Sequence, residues 1–426
     1  MDLLTTTIQP YTWGSTTALA ELMGVAPTGE PQAEMWLGAH PAAPSYVDRG
    51  QGPVALDRLT AAGPLAELGP ALVSRFGPRL PFLLKLLAVD SPLSVQVHPD
   101  RAQAAAGFAR ENAEGIPLDA PHRTYRDDQH KPEMIVALTR FRALCGLRAP
   151  EQCADLLDAL GVDRLKPYAE ELRARPGEAA LRKVFTAFLT PPDGLLAAVA
   201  EAVRLAAASG GRYAADLVAY AAVTRSHPDD PGLMSALMLN QVTLQPGQAL
   251  FIGAGVAHAY LSGLGVEVMA SSDNVLRCGL TSKHVDAAEL LKVVRFTAVP
   301  IRAVEARRDE TTGEHMYPAP VDEFRLSRFD LARGDRPYPL TVDAPQIVLC
   351  TGGSATVASP ERSIALGPGR AAYAPAGEAL RLSGEGTVFR VTTGLARKLT
   401  TREQLPTRRG ASAGRRITGI PPAWAG

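Results

Sequence analysis

The chain has 426 residues, 46% of them hydrophobic, which is enough for a sizeable core in about two or three structural units. Its 44 basic and 44 acidic residues give a formal net charge of zero, so composition gives no support for nucleic-acid binding. We find no signal peptide and no apolar run of about twenty residues that would span a membrane, and the four scattered cysteines fit reduced thiols, so we expect a cytoplasmic protein.

Residues 1–148 are predicted to alternate strands with turns and a few short helices. Strands are expected near 44–47, 82–88, 94–98 and 134–138, and helices near 54–59 and 101–111. Ser94, Gln96 and His98 would share one face of their strand, because alternate side chains point to the same side. An imidazole nitrogen and an amide oxygen suit a cation such as zinc. The alternative is a half-buried strand with a hydrogen-bonded histidine.

The segment His130-Lys131-Pro132-Glu133 enters the strand predicted at 134–138. Pro132 fixes its own φ and disfavours a helix at Lys131, so an extended segment would present these side chains at the strand entrance. Glu133 would then supply an anionic metal ligand. Taken by itself, a charged tetrad beside a strand is more often a solvated loop.

A helical segment interrupts the strands. Apolar residues recur at spacings of three and four, which predicts helices near 151–160, 178–189, 193–208 and 212–224. Strand patterns resume at Gln241 and continue to Cys278, and a short helix is expected at 287–294. We therefore interpret 149–235 as a helical insertion.

Glycine turns in the resumed strands would place His258. Gly247 precedes an apolar strand, and Gly253 and Gly255 follow it; glycine permits the positive φ and close backbone approach that such turns need. His258 would then face the mouth of a barrel. The segment resembles the second cupin motif, although Gly253 stands where proline is usual.

Basic residues follow the next strand, which carries Glu267. Arg277 and Lys283 lie in the polar turn beyond it. Guanidinium binds oxyanions through a planar fork and lysine acts as a mobile point charge, so this pair beside a metal suits a phosphorylated substrate. A pair of surface cations is the alternative.

The last part of the chain reads as a second β unit. Short strands are expected near 324–329, 345–350, 353–357 and 387–392, with turns at 351–353 and 367–369. No metal-ligand pattern accompanies them, so we predict a second, metal-free barrel. Beyond residue 395 the tail is basic and rich in Gly, Pro and Ser, which indicates a flexible segment.

Together these motifs resemble the type I mannose-6-phosphate isomerases, zinc-dependent enzymes of the cupin superfamily. The resemblance rests on residues 11–14, 33–41, 80–100, 130–133 and 255–283. It implies a mainly β fold of tandem cupin-type jelly-roll barrels with an α-helical domain. The expected units are a metal-binding barrel split between 1–148 and 236–320, the helical insertion 149–235, the second barrel 321–395 and the tail 396–426.

The resemblance also implies an activity and a set of site residues. The activity is the interconversion of mannose 6-phosphate and fructose 6-phosphate through a cis-enediol, a step of carbohydrate metabolism that serves GDP-mannose biosynthesis. One zinc ion per chain would assist it. The implied metal ligands are Gln96, His98, Glu133 and His258; the implied catalytic residues include Arg277 and Lys131; and the implied phosphate-handling residues are Lys85, Ser94 and Lys283.

The sequence does not determine which residue is the general base. Glu267, Lys131 and His130 would each serve with a suitable pKa shift, and we favour Glu267, with Lys131 second. His40 is interpreted as a structural hydrogen-bonding residue. The other histidines, interpreted as surface residues, are His122, His227, His284 and His315.

Two other function classes compete with the isomerase hypothesis. A cupin dioxygenase would hold Fe(II) with His98, Glu133 and His258, but it needs neither a fourth ligand nor a phosphate site. A non-catalytic sugar-phosphate-binding cupin would not need Lys131, Glu267 and Arg277. The expected partner is a small sugar phosphate, with no nucleic acid and no membrane, and we expect a monomer.

Overall fold

The structure is a computed structural model that describes residues 1–298, 300–310 and 312–396. It is a mixed fold with two large antiparallel sheets and a group of helices. In the described ranges, every helix is too short or too polar to span a lipid bilayer. The tail predicted at 396–426 lies outside the described residues except for its first position.

The part before residue 149 contains strands that are mostly short, with helices between them. Asp100 begins the last of these helices with a capping box shared with Gln103, which ends the extended segment directly after His98. The strands are β1 (Asp2–Leu3), β2 (Thr7–Gln9), β3 (Glu34–Gly38), β4 (Tyr46–Asp48), β5 (Pro53–Ala55), β6 (Phe82–Val89), β7 (Val95–Val97), β8 (Glu133–Ala137) and β9 (Phe141–Leu147). The helices are α1 (Ala18–Met23), α2 (Leu56–Ala62), α3 (Pro64–Leu68), α4 (Pro70–Phe76) and α5 (Arg101–Ala113).

The following segment is helical, as predicted, and α8 coincides with the predicted range 178–189. Its apolar faces form one core with sheet residues such as Val97, Leu144 and Leu276, so these helices cover part of the first sheet. The elements are α6 (Pro150–Ala159), a 3₁₀ turn (Asp163–Leu165), α7 (Lys166–Ala174), α8 (Glu178–Leu189), α9 (Leu195–Ser209), α10 (Ala214–Ser226) and α11 (Gly232–Leu237).

Strands resume after the helices and continue to the end of the described chain. One helix, α12 (Ala287–Val293), separates two groups of them. The first group is β10 (Leu239–Leu244), β11 (Ala249–Ile252), β12 (His258–Ala270) and β13 (Leu276–Gly279). The second group is β14 (Arg307–Arg308), β15 (His315–Met316), β16 (Arg325–Leu331), β17 (Tyr338–Pro339), β18 (Gln346–Ala358), β19 (Ser363–Leu366), β20 (Ala371–Ala374) and β21 (Arg381–Thr392).

The first sheet is organised around the long strand β12. Its main order is β10-β9-β12-β6-β3-β2. Two further strands pair with β12: β7, which also pairs with β13, and β8, which also pairs with β11. The buried run of β6 packs against β12 over eight residue pairs, from Gly263↔Val89 to Ala270↔Phe82. Elements from both sides of the helical segment therefore meet in one sheet.

The second sheet has the order β1-β20-β18-β21-β16-β15-β14. Its first strand comes from the N-terminus, since Asp2 pairs with Tyr373. A continuous apolar core that includes Leu86, Val268, Ile347 and Phe389 joins the two sheets. Among the described strands, the pairings close neither sheet into a ring.

One predicted turn is wrong. A turn was predicted at 351–353 between two strands, but β18 passes through these residues as one strand of 13 residues. Its register with β21 shifts between Cys350 and Gly352, and Gly353 has a φ of +74°. The glycines therefore mark an irregularity within a strand, where backbone approaches backbone closely, and do not end it.

Candidate metal centre

The strand register brings several predicted site residues side by side. Gln96 in β7 pairs with His258 of β12 and with Arg277 of β13. In the neighbouring part of the sheet, Glu267 of β12 pairs with Lys85 of β6. Because directly paired residues have side chains on the same face, residues far apart in sequence reach one side of the sheet.

Three potential metal ligands converge there. One ligand atom from each of His98, Glu133 and His258 lies within 4.8 Å of the others, and all three residues are buried. His98 Nε2 is 3.3 Å from Glu133 Oε1, and His258 Nε2 is 3.3 Å from Glu133 Oε2. The carboxylate thus lies between the two imidazoles.

The tautomers of the two histidines follow from their other contacts. His98 Nδ1 is 2.8 Å from the carbonyl oxygen of Asn274, and His258 Nδ1 is 3.0 Å from that of Val256. A carbonyl only accepts, so each Nδ1 carries the proton and leaves Nε2 with a lone pair when the ring is neutral. Burial lowers the pKa of His98 to about 4, although the charge of Glu133 opposes this shift.

These contacts test whether the residues fit a metal ion. Within the described residues, His98 Nε2 is buried and has no hydrogen-bond partner. Two imidazole lone pairs that face one carboxylate repel each other unless a cation lies between them. Two nitrogens and one carboxylate oxygen are donors that zinc accepts, so the arrangement fits zinc.

Gln96 lies beside His258 in the strand register and lines the same cavity. Its Nε2 donates to Ser94 Oγ at 3.1 Å, which leaves Oε1 as the atom available to a metal. Both residues line a cavity of about 1070 Å³ that also reaches Glu133 and His258. The hydroxyl of Ser94 thus orients Gln96 in this structure.

Beside the ligands, Lys131 contacts Glu133 directly. Its Nζ is 2.9 Å from Glu133 Oε1, and both side chains are buried. Burial alone would raise the pKa of the Glu133 carboxyl, but Lys131 and His98 hold it well below its usual range. Glu133 is therefore a carboxylate at neutral pH.

A second buried cluster surrounds Lys85 in the same cavity. Its Nζ is 3.2 Å from Glu34 Oε2 and 3.3 Å from Glu267 Oε2, and it lies 5.2 Å from the centre of the Trp36 ring. Burial opposes the lysine charge, but the carboxylates raise its pKa above the usual value. Burial raises the pKa of Glu267, with Lys85 opposing and Glu133 adding to the shift. Glu267 is thus a buried carboxyl with a pKa shifted towards neutrality.

Unpaired cations form another part of the wall. Arg277 and Lys283 line the cavity, and neither has a carboxylate partner in the part of the chain that the structure describes. Burial lowers the pKa of Arg277, and the positive charge of Arg126 lowers it further. Burial also lowers the pKa of Lys283, and the charges of Arg277 and Arg126 add to that shift. A cluster of unpaired like charges favours an anionic ligand.

His130 lies away from these clusters. Its Nε2 is 2.8 Å from Glu323 Oε1 and 3.0 Å from a nitrogen of Arg101, and it is absent from the residues that line the cavity. This geometry removes the support for His130 as a base. Lys131 and Glu267, in contrast, both face the cavity.

Two residues that line the cavity, His227 and Glu34, were not predicted as site residues. His227, which follows α10, is half-buried and lines the cavity, so its interpretation as a surface residue is wrong. Glu34 was missed although the alternation with Trp36 in β3 gave a signal for it. His40 forms a hydrogen bond, since its Nε2 is 3.1 Å from Asp273 Oδ1, and it also lines the cavity.

The fold and the site together define a metal-binding enzyme with a cavity for an anionic ligand. Residues 1–150 match the family described as phosphomannose isomerase type I, catalytic domain. The chain is 38% identical to the mannose-6-phosphate isomerase of Escherichia coli over 394 residues. The aligned region covers 92% of this chain and 99% of that protein. It is 30% identical to the mannose-6-phosphate isomerase of Schizosaccharomyces pombe, over 82% of this chain and 87% of that one.

Solved structures give the same result. Two structures of mannose 6-phosphate isomerases, each 36% identical, superimpose with a TM-score of 0.85 and cover 93% of this chain and 100% of the other. One contains zinc and yttrium, and the other, from Salmonella typhimurium, contains zinc and a bound substrate. The chain belongs to the type I phosphomannose isomerase family.

Proposed function

We propose that this chain interconverts mannose 6-phosphate and fructose 6-phosphate with one bound zinc ion. The observation that carries the proposal is the convergence of His98, Glu133 and His258, with two lone pairs facing one carboxylate, at a cavity that also holds unpaired cations. Similar proteins of near-equal length are mannose-6-phosphate isomerases. Gln96 is proposed as the fourth ligand because its amide oxygen is free of the contact to Ser94.

Glu267 is proposed as the group that moves the proton between C2 and C1. It is buried in the cavity, and its raised pKa suits a group that must both accept and release a proton. Zinc, when bound, supplies a Lewis acid for the oxygen that becomes negative along the way. The cis-enediol route needs no change of oxidation state in the protein.

For Lys85 we propose a role other than phosphate binding. Two carboxylates already neutralise it, so it is better suited to orienting Glu267 than to binding phosphate. Lys131 is held by Glu133 at 2.9 Å and is proposed to donate to a sugar oxygen. Arg277, without a carboxylate partner, would stabilise negative charge on the open-chain sugar, and Lys283 would bind the phosphate.

A coupled assay with metal analysis tests the function. We expect about one zinc per chain and conversion of mannose 6-phosphate to fructose 6-phosphate. Iron with oxygen uptake would favour a dioxygenase, and bound metal without turnover would favour a non-catalytic sugar-phosphate-binding protein. Neither alternative is favoured by the named relatives.

Substitution of Glu267 by Gln tests the proposed base. The change keeps the size of the side chain and removes the proton acceptor, so exchange of the C2 proton with solvent should fall by about 10²-fold or more. Zinc content should be unchanged, because Glu267 is not among the proposed ligands. Proton exchange at the wild-type rate would remove Glu267 as the base and leave Lys131.

We further propose the finer features of the molecule. The two sheets would be cupin-type barrels, with unit boundaries at 1–148 with 236–320, at 149–235 and at 321–395. A monomer is supported because one chain supplies every proposed site residue: His98 meets Glu133 and His258, and the others line one cavity. A cytoplasmic location is supported by four buried cysteines that form no disulfide. The zero net charge supports a small sugar phosphate as partner in place of a nucleic acid or a membrane.

A further inference from the structure

The turn that carries Lys283 is held by the helical segment. We call residues 279–283 the cationic turn; it follows β13. Asp230, two residues before α11, accepts the backbone N–H of Leu280 through Oδ1 at 2.8 Å and that of Thr281 through Oδ2 at 2.9 Å. The same Oδ1 also accepts the N–H of Gly232 at 2.7 Å. One carboxylate thus satisfies three backbone donors from both sides of the contact.

Close backbone packing reinforces these bonds. A Cβ added at Gly232 would lie 2.4 Å from the nitrogen of Leu280, and one added at Gly279 would lie 2.3 Å from the Cα of Gly232. Ser235 adds a hydrogen bond from its hydroxyl to the carbonyl oxygen of Cys278, at 3.4 Å. The two segments therefore touch backbone to backbone, and no side chain fits between them.

Unusual backbone angles occur on both sides of this contact. Asp229 has a φ of 60° and Leu280 a φ of 57°, and no other non-glycine residue in the described ranges has a positive φ. Residues other than glycine rarely adopt this backbone conformation, so the surrounding structure must hold it in place. At Leu280, the positive φ is held by the hydrogen bonds that the Leu280 and Thr281 N–H groups donate to Asp230.

We infer that Asp230 is a positioning residue, which fixes the cationic turn so that Lys283 meets the phosphate group of the substrate. This inference rests on the proposed function. Ser282 occupies the position before Lys283, so the turn has no proline at that point to restrict its backbone. The helical segment would thereby contribute to substrate binding while Asp230 itself touches no substrate.

Substitution of Asp230 by Asn tests the inference. Asparagine keeps the size but places an N–H₂ donor opposite one of the backbone N–H groups, so at least one bond is lost. We expect the KM for mannose 6-phosphate to rise about tenfold and kcat to change by about twofold or less. Inhibition by inorganic phosphate should weaken in parallel, and zinc content should stay the same.

The matched control is Asp229→Asn. Asp229 is exposed and carries the same charge one position earlier, and asparagine tolerates its positive φ. This variant should keep the wild-type KM. Gly232→Ala should raise the KM as well, because its Cβ would displace Leu280.

Three outcomes are distinguishable. Equal KM values and equal phosphate inhibition in the Asp229 and Asp230 variants would overturn the inference. A loss of activity in proportion to unfolded protein, with an unchanged KM in the folded fraction, would also overturn it. A wild-type chain that binds mannose 6-phosphate in calorimetry without isomerising it would reject the proposed function alone. The affinities of the Asp229 and Asp230 variants for mannose 6-phosphate would then still test the positioning role of Asp230.

Discussion

The two large sheets each carry a buried ionic cluster, and the clusters differ in whether their polar atoms have partners. In the second sheet, the Arg390 guanidinium donates to Gln346 Oε1 at 2.8 Å and Glu314 Oε1 at 3.1 Å, with the Leu340 carbonyl oxygen at 3.5 Å. Ser327 donates to the same Glu314 oxygen at 2.6 Å. Each nitrogen of the Arg390 guanidinium thus has an acceptor within the protein.

The cluster of the first sheet is incomplete by the same measure. His98 Nε2 has no hydrogen-bond partner among the described residues, and Glu133 faces a lone pair on each side. Both clusters border a cavity and both are buried. Burial and charge alone therefore do not identify the metal centre; the convergence of lone pairs that can bind a metal, one of them buried without a partner, does.

The largest expected effect comes from His98→Ala. Removing one of three converging ligands should reduce zinc to less than about a tenth of an equivalent and kcat by about 10³-fold or more, because the cavity loses its Lewis acid. Atomic absorption and the coupled assay measure both quantities. His122→Ala is the control, since His122 is exposed. Full zinc occupancy in the His98 variant would contradict the assignment of the metal centre.

Glu314→Ala should affect stability instead of activity. It leaves the Arg390 guanidinium buried without its carboxylate, which is expected to lower the free energy of unfolding by about 3 kcal/mol or more. Zinc content and KM of the folded protein should be unchanged. Denaturant unfolding with metal analysis measures the contrast with the His98 variant.

The control for this prediction is Glu310→Ala. Glu310 is 80% exposed and lies 3.7 Å from Arg308, so its loss should change stability by less than about 0.5 kcal/mol. Loss of zinc from the Glu314 variant would show that the second sheet supports the metal centre. The separation of the two clusters would then be wrong.

Sequence patterns singled out the three side chains that converge in the structure because each lies in a short local motif. His98 follows an alternating strand, Glu133 follows a proline at a strand entrance, and His258 follows a glycine turn. Their convergence depends on β12, whose register with β7 and β8 is a tertiary feature. The resemblance to a known family supplied that part, and local periodicity did not.

The missed features are long-range contacts. Nothing near Asp230 in sequence indicates that its carboxylate meets Leu280, fifty residues later in the chain. His227 was interpreted as a surface residue because its neighbours are polar, and only the packing of α10 places it on the cavity wall. In β18, glycines suggested a turn, but their partner in the sheet is β21, which keeps the strand continuous.

The smallest expected effect concerns the contact between the second sheet and the segment that leads into β8 of the first sheet. Glu323, just before β16, accepts from Arg101 and contacts His130 at 2.8 Å, next to the segment that carries Lys131. Burial opposes its ionisation, but the hydrogen bond and charge of His130 lower its pKa to about 2. The ionised carboxylate thus ties the second sheet to the segment that enters the metal centre.

Glu323→Gln tests this connection through pH. Because the pKa of Glu323 is lower in the folded chain than its usual value, its contribution to stability is present above about pH 4.5 and is lost as pH falls towards about 2. The variant should be less stable than wild type by about 1 kcal/mol at about pH 7, a value reduced for the partial exposure of Arg101. Urea unfolding at about pH 7 and about pH 3 should show the difference shrinking at the lower pH. A difference that stays constant or grows as pH falls would mean that Glu323 stabilises the fold by packing, so that the charge contact does not connect the two sheets.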